Sequence, residues 1–110
     1  MTIDPQRVAA DLRQAVPFAR TLGIEFVDVA PDGAGGVRAV VRLPDPPATH
    51  NHVGGPHAGA LFTLGETASG AVVMGTFGDQ LDRAVPLAVR AEIGYRRLAM
   101  GAVRATARLG

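Results

Sequence analysis

The 110-residue chain has no cysteine, which excludes disulfides, thiolate metal sites and cysteine nucleophiles. Lysine is also absent, so all eleven basic residues are arginines, a bias that reads as genome composition rather than function. They meet ten Asp and Glu for a net charge of +1. A chain so balanced lacks the footprint of a nucleic-acid binder. Serine occurs once, at Ser69, and no Gly-x-Ser-x-Gly surrounds it, so a serine nucleophile has little support. The N-terminus, MTIDPQRVAADLRQ, mixes charged and apolar residues and lacks the apolar core of a secretory signal. No stretch approaches the ~20 apolar residues that span a bilayer. The expected setting is therefore cytoplasmic, without a membrane partner.

Hydrophobic residues make up 47% of the chain against 19% charged, enough to build a packed core. The length suits a single domain over residues 1–110, at a size where association with further copies would add burial.

Asp4-Pro5 opens a first helix, since Asp caps and Pro is tolerated at the first position. Val8, Ala9, Leu12, Ala15 and Val16 recur at helical spacing, Pro17 should end or kink the helix, and Gly23 closes the segment. Residues 24–30 (IEFVDVA) read as a strand with faulty alternation, because Asp28 follows Ile24 and Phe26 on one face. A bulge would mend that. PDGAGG at 31–36 is a turn, and 37–43 (VRAVVRL) is the second strand of a hairpin. Three prolines within 44–47 keep the 44–56 loop irregular.

From Pro56 or His57 to about Met74 the chain reads as a helix, apolar on nearly all faces and therefore expected to be buried. Gly59, Gly65 and Gly70 interrupt it, as where a sheet or ligand approaches the backbone closely. Residues 84–96 (AVPLAVRAEIGYR) alternate like a strand, with Leu87, Val89, Ala91, Ile93 and Tyr95 on one face. Residues 103–109 read as a further strand.

Glu66 sits inside the apolar central helix, among Phe62, Leu64, Ala68 and Val73. Burial makes a carboxylate costly to ionise and suits it to act as a general base. The first N–H groups of the same helix, near His57, Ala58 and Gly59, lack intrahelical partners and lie at its positive end. They can hold a developing oxyanion. One helix, or two of them in a dimer, would then supply acid and donors together. The competing readings are that Glu66 faces solvent or pairs with an arginine, that Asn51 is a turn residue, and that Arg96 and Arg97 are solvated charges rather than phosphate contacts. His50, His52 and His57 give weak grounds for a metal site.

The stretch Asn51-x5-His57-Ala58-Gly59-x6-Glu66-Thr67-Ala68 resembles the signature of hotdog-fold acyl-CoA thioesterases of the phenylacetate-pathway (PaaI-like) group. The resemblance covers about residues 20–109. It implies an α+β hotdog fold, an antiparallel sheet wrapped around the central helix at about 57–74, in homodimers or homotetramers. It implies an enzyme that hydrolyses acyl- or aryl-CoA thioesters, with no cofactor and no metal. By position, Glu66 would be the catalytic carboxylate, Ala58 or Gly59 the N–H donor, Asn51 an orienting group and His57 the shaper of the junction. Gly59, Thr67, Arg96 and Arg97 would line the substrate. Three departures accompany it. Ala58 replaces the first Gly of the usual His-Gly-Gly, the acid is Glu where this group often has Asp, and the one or two further C-terminal strands of the family are missing. A non-catalytic acyl-CoA-binding or regulatory module is the alternative.

Overall fold

A computed structural model describes residues 4–109. Asp4 caps helix α1 (Pro5–Ala15), its carboxylate accepting from the N–H of Gln6 at 3.1 Å and of Arg7 at 3.4 Å. Ala9 and Leu12 face inward. Pro17 breaks α1 and opens a short second helix, α2 (Pro17–Thr21), at the one position where a missing N–H costs nothing. Val16 falls at the break and is exposed, off the apolar face where its spacing had placed it.

Strands β1 (Glu25–Pro31) and β2 (Val37–Leu43) form the expected antiparallel hairpin. Its turn is fastened by Asp32, whose Oδ1 accepts from the N–H of Ala34 and Gly36. The register shifts between Phe26 and Asp28, so Val27 is extra and turns outward. This bulge restores the alternation: Phe26 lies opposite Val41 and Val29 opposite Ala39, facing the core, while Asp28 lies opposite Val40 on the outer face. There Asp28 pairs with Arg38 and Glu25 with Arg42, both at 2.6 Å. Along β2, Val37, Ala39, Val41 and Leu43 are all buried.

The central helix, α3 (Ala58–Phe77), starts at Ala58 with His57 as its cap and runs three residues past Met74. Pro56 therefore precedes the helix instead of occupying its first turn. One face, carrying Ala60, Leu64, Thr67, Ala68, Ala71, Val72 and Gly75, packs on β2 and β3. The helix is not buried all round: Phe62 and Val73 are half-buried, and Glu66 and Ser69 are exposed. Apolar composition made α3 look enclosed, but the sheet covers a single side. Gly75 is the point of closest approach, where an added Cβ would stand 2.9 Å from Val37 Cγ2. Gly65 and Gly70 have open space beside them, and Gly59 meets only the ring of His57.

After α3 the chain makes one 3₁₀ turn at Gly78–Gln80. Residues 84–102 then run without regular structure. The strand expected over 84–96 is not formed: the alternating sequence is there, but no strand among the described residues pairs with it. The last strand, β3 (Val103–Arg108), pairs antiparallel with β2, from Arg38 opposite Arg108 to Leu43 opposite Val103. The three strands lie in the order β1-β2-β3. This is an α+β fold, an antiparallel sheet on a central helix with an N-terminal helix beside it, the hotdog arrangement.

The core has two lobes along α3. One joins Ile24, Val41, Leu43, Ala60, Leu64 and Ala68; the other joins Leu12, Val29, Val37, Ala39, Ala71 and Val72. Among the described residues, no helix is long and apolar enough to cross a membrane.

Candidate active site

The loop before α3 is built by Asn51. Its Oδ1 accepts from the N–H of Val53 (3.0 Å) and Gly55 (3.1 Å), its Nδ2 donates to the Pro56 carbonyl at 3.4 Å, and its own N–H donates to the Gly55 carbonyl at 2.7 Å. A side-chain amide with donor and acceptor both occupied is a structural brace. The bridge between His50 and Pro56 and the bond from His57 N–H to the Thr49 carbonyl (2.8 Å) close the loop's base. Loop and helix thus meet at a fixed angle.

His57 shapes that junction directly. Its Nδ1 accepts from the Gly59 N–H at 2.8 Å, so the ring is the N-cap that Ser, Thr, Asp or Asn more often supplies. Gly59, one of two donors expected to face a substrate, is therefore engaged. The Ala58 N–H has no acceptor among the described residues. It points from the positive end of a twenty-residue helix, at a residue that is itself exposed.

Tyr95 joins this end of the molecule, and the sequence did not single it out for the site. Its hydroxyl donates to the Ala58 carbonyl at 2.8 Å, across thirty-seven residues of sequence. Nearby, Gly55 lies against the Ala99 carbonyl and Met100 Sδ so closely that no side chain would fit. These two contacts hold residues 95–100 beside the start of α3. Arg96 and Arg97 follow Tyr95, both exposed, and neither pairs with a carboxylate among the described residues. The only signal for Tyr95 in the sequence was its place as the last member of an alternating row.

Glu66 is exposed on the face of α3 away from the sheet, rather than buried. Gly65 precedes it, with nothing within 4 Å of the position a Cβ would take. Thr67 is turned the other way: it is buried and its Oγ1 donates to the Thr63 carbonyl at 2.7 Å. That places it in the core of the single chain. Of the three histidines, His50 pairs through Nε2 with Asp45 at 2.7 Å, a carboxylate five residues upstream, and His52 is exposed. No cluster of three or more His, Cys, Asp or Glu comes together among the described residues. The surface dent lined by Pro31, Val37, Gly75 and Thr76 lies at the opposite end of α3 from Ala58.

Ala58 and Glu66 do not meet within one chain. Eight residues of helix set them about 12 Å apart along the axis and on faces roughly 80° apart. A reacting carbonyl needs both groups within about 3 Å. A single α3 therefore offers the donor and the acid to different places.

The family model described as a domain of unknown function, DUF4442, matches residues 5–110. The chain belongs to that family. A solved structure described only as the crystal structure of a genomics target is similar to this DUF4442 domain. It is 28% identical, with a TM-score of 0.63, over 94% of this chain and 65% of that one. The DUF4442 chain thus spans about two thirds of that structure's length. Comparison with curated proteins gave no match.

Proposed function

We propose that this DUF4442 domain is a hotdog-type acyl-CoA thioesterase, hydrolysing acyl- or aryl-CoA to the free acid and CoA in the cytoplasm. The observation that carries the reading is the unengaged Ala58 N–H at the positive start of α3, in a helix whose open face presents Glu66. The resemblance of Asn51 to Ala68 to the thioesterase signature assigns the same two positions. Because one helix holds them apart, the donor comes from one copy and the acid from a second.

In that arrangement the thioester oxygen accepts from the Ala58 N–H. Glu66 takes a proton from water, whose oxygen attacks the carbonyl carbon. The tetrahedral intermediate collapses with cleavage of the C–S bond, and the departing thiolate is protonated. Arg96 and Arg97, exposed beside the helix start, supply forked donors for the CoA phosphates. Asn51 and His57 act through the loop and helix start that they brace.

The second reading is an acyl-CoA-binding module without turnover. What favours it is the engagement of both the Asn51 amide and the Gly59 N–H in holding the loop, which leaves Ala58 as the one unengaged member of the expected donor pair, Ala58 and Gly59.

The test is thiol release over short, long and aromatic acyl-CoAs, with Glu66→Gln as control and circular dichroism to verify its fold. Loss of general-base catalysis should lower kcat by roughly 10²- to 10⁴-fold. Turnover undiminished in Glu66→Gln refutes the role of the acid. Acyl-CoA binding without thiol release by the wild type decides for the module.

A further inference from the structure

The peptide that joins Ala58 to Gly59 is held at both ends by side chains. Its carbonyl accepts from the Tyr95 hydroxyl at 2.8 Å, and its N–H donates to His57 Nδ1 at 2.8 Å. The preceding peptide, between His57 and Ala58, has its carbonyl taken by the Leu61 N–H at 3.0 Å and keeps the Ala58 N–H open. Peptides are planar and turn only about two dihedrals at each Cα. The direction of the Ala58 N–H therefore follows from the peptide that Tyr95 and His57 fix.

Of these two holds, His57 is local and forms with the helix start itself. Tyr95 comes from thirty-seven residues away and is 52% exposed, where water competes for both the hydroxyl and the carbonyl. Its bond is the adjustable one, and what adjusts it lies beside it. Arg96 and Arg97 are strung between two contacts to the same junction: Tyr95 on the Ala58 carbonyl, and Ala99, whose carbonyl lies against Gly55. The chain bends at Arg97, and both arginines are exposed.

We infer that Tyr95 is a positioning residue for the oxyanion donor, and that CoA phosphates held by Arg96 and Arg97 tighten it. The inference rests on the thioesterase reading for the roles of Ala58 and the two arginines. A phosphate group on this short strap restricts residues 96 and 97. It thereby raises the fraction of time that the Tyr95 hydroxyl spends on the Ala58 carbonyl. Binding energy from the nucleotide end of the substrate, which takes no part in bond cleavage, then acts at the reacting carbonyl. The device distinguishes a CoA thioester from the same acyl group on bare pantetheine, although the bond to be cleaved is identical.

Thiol release is measured with one acyl group on CoA and on pantetheine. On acyl-CoA, Tyr95→Phe should lower kcat by roughly 3- to 10-fold with KM little changed. On acyl-pantetheine it should leave kcat almost unchanged. In R96Q/R97Q, kcat for acyl-CoA should fall to that of the pantetheine thioester, and adding Tyr95→Phe should lower it no further. A merely structural Tyr95 lowers kcat alike on both substrates, and that result overturns the inference, as does no loss on either. Deuterium exchange with CoA itself as the probe reads the link without turnover. CoA should slow uptake at residues 58–62 in the wild type and not in Tyr95→Phe. Equal slowing in both, or none in the wild type, overturns the inference. Slowing that depends on Tyr95, in a wild type that releases no thiol, upholds the link from the arginines to Ala58 and refutes hydrolysis. Thiol release with equal losses on both substrates does the reverse.

Discussion

Alanine at Gly65 and at Gly75 is the same substitution on the same helix, and the structure assigns the two opposite signs. Both replacements gain about 1 kcal/mol of helix propensity. At Gly65 nothing lies within 4 Å of the new methyl, so the gain stands alone. At Gly75 the methyl would be 2.9 Å from Val37 Cγ2, 3.3 Å from Val37 Cγ1 and 3.5 Å from Val29 Cγ1. Those valines are each 1% exposed, held between helix and sheet. Neither can retreat without moving β1 or β2, so the overpacking cost is about 1–3 kcal/mol. Gly75→Ala should be neutral to about 2 kcal/mol destabilising, against about 1 kcal/mol stabilising for Gly65→Ala. In thermal denaturation at fixed protein concentration, 1 kcal/mol moves Tm by roughly 4–8 °C in a domain near this size. Gly65→Ala should melt higher than wild type and Gly75→Ala at or below it. Equal stabilisation by both would show that α3 does not press on Val37, and the packing described for this helix would be wrong.

Two further predictions concern the start of α3. Tyr95→Phe removes the bond to the Ala58 carbonyl, worth about 0.5–1.5 kcal/mol; brief tryptic digestion should then cut faster after Arg90, Arg96 and Arg97, with the rest of the chain intact. His57→Ala should destabilise by about 1 kcal/mol through loss of the cap, while His57→Asn keeps an acceptor for the Gly59 N–H and should recover most of it. Urea titration of both variants checks this, and equal losses would deny the capping role of the ring.

Local chemistry made much of this fold legible. Asp4, Pro5 and Pro17 mark their helix ends because capping and ring closure act over a few residues. The faulty alternation at Asp28 pointed to the bulge at Val27, since period two admits few repairs. What failed to show was what lies across from a pattern. Residues 84–96 carry a strand's alternation, but pairing is a property of a second strand. Glu66 looked buried because the composition of α3 tells how apolar its faces are and not how many are covered. Asn51 matched a signature residue, and the hydrogen bonds by which it also braces its own loop were not visible in that match. Tyr95 reaches Ala58 only through the path of the chain after α3, which no local rule describes.

The unladdered backbone of residues 84–102 also gives the protein an internal recorder. Amide protons held in α3 or in the sheet exchange with solvent only when those elements open, whereas those of 84–102 start with no structural protection. Deuterium uptake there should be near its chemical limit in an isolated chain. Any partner that adds a strand slows it at alternate residues, in the order its hydrogen bonds dictate. The segment would thus report which edge has been taken, and in what register, without a label being attached.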